Sequence, residues 1–232
     1  MRPVNRPFLL NKAELAQSRT PAELSRWVGK VQTELGRKPD SRKYARSGAL
    51  CLKKFYDEIL PLALFTYKEF GNRDDVLITP NLDNDNFDAT IELSKSKRIY
   101  VEITCAKNGR DEALRIEVLN KEGHVNALAP ITVVGTRYSQ NRAVTIPDEA
   151  VNHADVISEH LELVERCLIG KSNVRYGRDH VLLLVVDDYI PFRCEKDIKE
   201  LTTFMRSKLT HVSLDFGRIV VIGISGQLFL RF

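Results

Sequence analysis

The segment NFDATIELSKSKRIYVEITCAK (residues 86–107) carries two carboxylates, Asp88 and Glu102, where two short strands would ordinarily hold Thr or Ser. Successive side chains of a strand point to opposite faces. Phe87, Ala89, Ile91 and Leu93 therefore share one face of the first run, and Asp88, Thr90, Glu92 and Ser94 share the other. The second run repeats the pattern, with Ile99, Val101, Ile103 and Cys105 against Arg98, Tyr100, Glu102 and Thr104. If the runs pair as a hairpin around Lys95–Lys97, matching their apolar faces puts Asp88 and Glu102 on one polar face. In one permitted register Asp88 lies opposite Thr104 and diagonal to Glu102, at a backbone separation of about 7–8 Å that lets two carboxylates converge on one small cation. The plainer alternative is a solvated sheet face whose acids confer only solubility.

Other chemistry-bearing patterns fall short. IGKSN (169–173) ends like a phosphate-binding loop, but Glu165 stands where the first glycine belongs and the segment follows a helix instead of a strand. GISGQ (223–227) resembles a nucleophile elbow with Gln227 in place of the closing glycine, so Ser225 reads as a turn residue. The five histidines form no H-E-x-x-H pair, and His153 and His160 are too far apart along a helix to share an ion easily. Cys51, Cys105, Cys167 and Cys194 have no C-x-x-C spacing. They suggest reduced, packed thiols, with neither a zinc site nor a disulfide framework.

The elements that must position the two acids can be read along the chain. TPAELSRWVGKVQTEL opens a helix with a Thr20 cap, Pro21 at the first helical position and Glu23 three residues after the cap. GRKPDSRKYARSG breaks it, and ALCLKKFYDEILPLALFTYKEFG forms a second helix, kinked or interrupted near Pro61. After the hairpin, DEALRIEVLNKEG is a helix that stops at Gly123. ITVVGTRYSQNRAVTIP suggests a second small hairpin. PDEAVNHADVISEHLELVERCLIG is a long amphipathic helix with Ile157, Leu161, Val164 and Leu168 on one stripe. HVLLLVVDDY reads as a strand buried on both faces. A helix, EKDIKELTTFMRSKL, and two strand-like runs around Ser225 and Gly226 complete the chain. This order predicts an α/β fold with a mixed central sheet flanked by helices. Residues 1–45 would be a basic helical extension of a domain spanning 46–232.

Charge is distributed unevenly. Residues 1–54 hold thirteen Lys or Arg against four acids, a net of +9, which leaves −5 for the rest of a chain whose net charge is +4. A basic amino-terminal part suggests a polyanion partner, with Arg37, Lys38, Arg42, Lys43 and Arg46 as nucleic-acid contacts. A solvated helical face is the alternative. A hydrophobic fraction of 43% supports a buried core. No signal peptide and no run of membrane-spanning length is evident, so the expectation is a cytoplasmic protein with no membrane partner.

An Asp at the start of one strand, a short connection, and a Glu in YVEITCA on the next, with helices before and after, resemble the core of the PD-(D/E)XK (restriction-endonuclease-like) nuclease superfamily. The resemblance covers roughly residues 45–232 in element order and rests on Asp88 and Glu102. It implies a restriction-endonuclease-like fold and a metal-dependent nuclease, with Asp88 and Glu102 binding Mg²⁺ (or Mn²⁺) and Glu58 of the preceding helix assisting. It also implies a nucleic-acid partner, DNA first, and leaves room for a homodimer. The family places Lys two residues after the Glu; here that residue is Thr104, a hydroxyl without positive charge. Lys107, five residues after Glu102, is the first candidate to replace that lysine, followed by Arg115 and Lys121. The rival reading of the same fold is a nucleic-acid-binding or regulatory module without catalysis. A third is a protein-interaction domain whose basic part meets an acidic surface.

Overall fold

A capping box opens the first long helix. The Glu23 carboxylate accepts the Thr20 N–H at 3.0 Å, and Thr20 Oγ1 accepts the Glu23 N–H at 3.4 Å. The computed structural model, which describes residues 10–37, 39–83, 85–94, 97–136, 139 and 141–232, contains α1 (Lys12–Ala16), α2 (Pro21–Arg37), α3 (Pro39–Ala45), α4 (Leu50–Lys54) and α5 (Leu60–Phe70) ahead of the first strand. Strands β1 (Leu77–Pro80), β2 (Ala89–Ser94) and β3 (Lys97–Cys105) follow, then α6 (Gly109–Glu122) and the small hairpin β4 (Thr132–Val134) and β5 (Ala143–Thr145). The chain ends with α7 (His153–Ser172), β6 (Arg175–Val186), α8 (Glu195–His211), β7 (Asp215–Gly223) and β8 (Phe229–Arg231).

Six strands form one mixed sheet in the order β1-β2-β3-β6-β7-β8. The pairs β3–β6 and β6–β7 are parallel and the others antiparallel. Alternation along the strands divides the core in two. Ile91, Val101, Leu183 and Val220 face Leu24, Val28, Phe55 and Leu62 on one side. Leu182, Leu184 and Val221 face Val164, Leu168, Leu201 and Met205 on the other. The run HVLLLVV is thus covered on both faces, which is why it lacks polar alternation.

Two expectations change. The edge strand β1 escaped the sequence reading because VLITP is short and flanked by turn-forming Asp and Asn. Within the amino-terminal extension, Leu24, Val28, Val31 and Leu35 of α2 lie in the same core as Ile78 and Ile91 of the sheet. Pro61 produces more than a kink. It has no N–H to give to the carbonyl of Asp57, one turn back, and residues Phe55–Ile59 widen into a π-helix in which the Leu60 N–H reaches Phe55 O. The freed Asp57 carbonyl accepts the Cys105 thiol at 3.3 Å.

The turn between β7 and β8 is built on Asp188, just past the end of β6. Its carboxylate accepts the Ser225 N–H at 2.8 Å, the Ser225 hydroxyl at 2.5 Å and the Leu228 N–H at 3.2 Å. Ser225 is therefore the turn residue that its motif suggested. Gly223 lets this carboxylate approach: a Cβ there would lie 1.9 Å from Asp188 Oδ2. Gly223→Ala should lower stability by about 1–3 kcal/mol, as overpacking does in a fixed site, read from urea unfolding. An unchanged midpoint would contradict a rigid Asp188 clamp.

Candidate active site

The β2–β3 ladder pairs Ala89 with Val101 and Thr90 with Tyr100, with a bulge between Glu92 and Ser94. The Asp88 N–H extends the ladder by donating to Val101 O at 2.8 Å. Asp88, the residue just before β2, therefore sits at the end of this register within electrostatic range of Glu102, and not opposite Thr104 as in the register first considered. Ala89 pairs with Val101, two residues from the partner it would have in that register, and the bulge beside the turn accounts for one of the two. Past Asp88 there is no β2 residue to take the next inward N–H of β3. Asp88 Oδ2 accepts it instead, from Ile103 at 2.7 Å.

Glu102 is 8% exposed, although it lies on the face with alternating polar residues. The last turn of α7 covers it, and the Lys171 ammonium hydrogen-bonds Glu102 Oε1. Tyr176, at the start of β6, turns its hydroxyl toward Glu102 and Lys171. Its ring is fixed by stacking on Phe216 at 4.2 Å and by an edge contact with His180 at 5.7 Å. On the opposite side, the π-helix carries Glu58 within electrostatic range of Asp88, and Lys54 donates to Glu58 Oε2 at 3.0 Å. Asp88, Glu102, Glu58, Lys54 and Lys171 thus form one cluster of three carboxylates and two ammoniums.

The candidate replacements for the missing lysine are placed elsewhere. Lys107 binds Asp57 at 2.5 Å and Glu112 at 3.2 Å, because the π-helix turns Asp57 toward the end of β3. Arg115 donates to Ala129 O at 2.9 Å, and Lys121 is exposed beside Glu122. Thr104 occupies the motif position half-buried, near Cys167, whose thiol donates to Cys105 O at 3.5 Å. Lys171, Lys54 and Tyr176 were not selected from the sequence. IGKSN was the signal for Lys171, read for the wrong chemistry, and Lys54 could have been found as the (i, i+4) partner of Glu58.

Burial raises the carboxyls of Glu58, Asp88 and Glu102 above their ordinary values. Burial is the largest cause for each. Lys54 and Lys171 oppose it, and the negative field of Asp88 adds to it at Glu58 and Glu102. Burial disfavours the Lys171 ammonium, but the hydrogen bond and charge of Glu102, together with Tyr176 and Asp88, raise it above the ordinary lysine value. Among the described residues no group of three or more His, Cys, Asp or Glu side chains is arranged to hold an ion. Glu58 is thus tied to Lys54 and does not complete the three-carboxylate ligand set expected for it. The strand pair alone still suits a hard divalent cation, since Mg²⁺ takes one or two carboxylates and fills its other positions with water and phosphate.

The basic contacts expected of the amino-terminal part are distributed in two ways. Arg37, Arg42, Lys43 and Arg46 are exposed, with Arg37 loosely paired to Glu34 at 3.8 Å; Lys38 lies outside the described residues. Arg19 and Lys54 belong to the structure itself. Arg19 is buried over the Trp27 ring at 4.1 Å, and Lys54 serves Glu58. Among the described residues no helix is long and apolar enough to cross a membrane.

A carboxyl raised by folding contributes its stability below the ordinary carboxylate range and loses it as pH rises through the raised value. Asp88→Asn keeps an oxygen for the Ile103 N–H and removes the charge. It should raise the urea-unfolding midpoint at pH 7.5 and leave it nearly unchanged below the ordinary carboxylate range, where the carboxyl is protonated in both states. A lower midpoint at pH 7.5 would show that the charged bond to Ile103 outweighs burial.

No protein-family model matches the chain, and neither do curated proteins or solved structures.

Proposed function

We propose that this chain is a metal-dependent phosphodiesterase acting on nucleic acid, on a restriction-endonuclease-like fold, with Asp88 and Glu102 as metal ligands and Lys171 in the role that Thr104 leaves vacant. The observation that carries the reading is the Lys171 ammonium on Glu102, beside an Asp88 within electrostatic range at the start of the adjacent strand. Acids this close with a lysine between layers are costly to bury, and perturbed groups of this kind mark working sites.

Mg²⁺ (or Mn²⁺), when bound, would polarise the phosphate and lower the pKa of a water. The chain's own residues supply the rest. Asp88, anchored by the Ile103 N–H, and Glu102, anchored by Lys171, present carboxylate oxygens from fixed positions. Lys171 Nζ keeps its proton and can donate to a phosphate oxygen as negative charge grows there, in surroundings that exclude much water. The Tyr176 ring, held against Phe216, flanks that pair. Lys54 and Glu58 steady the field behind Asp88. The cluster carries one net negative charge; a divalent ion would make it +1, which matches a phosphodiester. The exposed Arg42, Lys43 and Arg46 would contact phosphates farther along the strand.

Single-turnover cleavage of DNA and RNA substrates with Mg²⁺ or Mn²⁺ tests the assignment. Asp88→Asn and Glu102→Gln should abolish cleavage. Lys171→Met should slow it by about 10²-fold or more, the scale of one preorganised donor, whereas Lys107→Ala should leave the chemical step near wild type. Thr104→Lys in the Lys171→Met background should return part of the rate. Replacing Arg42, Lys43 and Arg46 by Ala should raise KM and leave kcat unchanged. If wild type cuts neither nucleic acid with either ion, the enzyme reading loses to a non-catalytic binding module.

A further inference from the structure

We infer that the depression between the end of β3 and the last turns of α7 is a second phosphate site, which takes the phosphate next to the one at Asp88 and Glu102. The substrate would then be a polynucleotide strand crossing α7, not a single nucleotide. This inference rests on the phosphodiesterase reading of Asp88, Glu102 and Lys171.

The depression has a volume of about 350 Å³. Arg166, Cys167 and Gly170 form one wall at helical spacing, with Lys171 beside them and Thr104 and Lys107 opposite. Three cations line it, and no carboxylate does. The acids that hold two of those cations approach from outside: Glu102 holds Lys171, and Asp57 and Glu112 hold Lys107. Arg166 is exposed and forms no ion pair among the described residues. Its planar guanidinium can grip two phosphate oxygens at once, which an ammonium cannot do with the same geometry.

Gly170 adds an independent point. Glycine inside a helix is unfavourable relative to alanine, and packing does not require it here, because a Cβ at Gly170 would meet no heavy atom within 4 Å. At the rim of the depression it adds no side chain, so a longer residue there would reach over its mouth. Lys171 belongs to both places, since it bonds Glu102 and lines the depression. An anion seated there is therefore adjacent to the candidate metal ligands, as successive phosphates of one strand are.

Binding of a short fluorescent DNA strand, and of its RNA counterpart, should be measured in EDTA across a salt series with the full chain. Arg166→Ala should weaken binding about 3- to 10-fold and reduce the salt slope by about 0.7, the value for one phosphate contact on a single strand. Arg166→Lys should keep the slope. Gly170→Leu should raise thermal stability and still weaken binding. A neutral methylphosphonate at one linkage should weaken wild type by the same factor as Arg166→Ala and cost that variant nothing further. Unchanged affinity and slope in Arg166→Ala, or inorganic phosphate filling the depression without displacing the strand, would overturn the site. Because this binding assay contains no divalent ion, it is independent of cleavage: failure to cleave in the separate Mg²⁺ or Mn²⁺ assay would sink the phosphodiesterase reading and leave the Arg166 result standing as phosphate binding. Normal cleavage with an uncoupled Arg166 would sink only the second site.

Discussion

The ion pair between Glu102 and Lys171 joins the central sheet to the helical layer above it, and the candidate site depends on it. Glu102 lies in the strand at the junction of the antiparallel and parallel halves of the sheet, while Lys171 closes the long helix that precedes β6. Removing one partner of a fully buried pair costs about 3–5 kcal/mol. The cost is smaller here, because the Lys171 side chain remains 23% exposed. Even so, replacing both residues by apolar ones of similar volume is the change that stability alone would favour. Retaining the pair is therefore better explained by what the charges do than by what they contribute to folding.

Asp88 sharpens that point. It sits where the β2–β3 ladder ends, and its carboxylate satisfies a strand N–H that would otherwise have no partner on that edge. A neutral Asn could do the same. The carboxylate instead sets a second negative charge beside Glu102, with Glu58 near it, and burial raises all three. Such a cluster costs stability, which is the physical ground for the cation binding proposed above. The π-helix imposed by Pro61 belongs to this arrangement, since it sends Glu58 toward the strand pair and Asp57 toward Lys107.

Much of the fold was legible because it is written in periodicity. The hairpin, the helix carrying Val164 and Leu168, the doubly buried run at 181–186 and the terminal strands all follow from spacing and turn chemistry. The short edge strand β1 has too few residues for a period to emerge. In the site, the two strand acids were legible because alternation fixes their face. Their relative register was not, since the observed pairing lies two residues from the one the hairpin turn suggested and includes a bulge. Lys171 was out of reach for a different reason. It is 69 residues from Glu102 in sequence, and nothing local tells which helix end the crossover returns to the sheet. Lys107 is close in sequence, but the π-helix places Asp57 near enough to hold it. Sequence proximity was the weaker guide here, because the tertiary fold chooses which cation meets which acid.

The account turns on whether Asp88 and Glu102 hold a divalent ion, and direct Mn²⁺ binding read by electron paramagnetic resonance on the full chain tests it without any substrate. The account predicts one Mn²⁺ per chain, weakening as pH falls because the raised carboxyls take up protons ahead of ordinary ones, and lost in both Asp88→Asn and Glu102→Gln. Mn²⁺ binding that persists undiminished in those variants, or is absent from the wild-type chain at every pH, would contradict it.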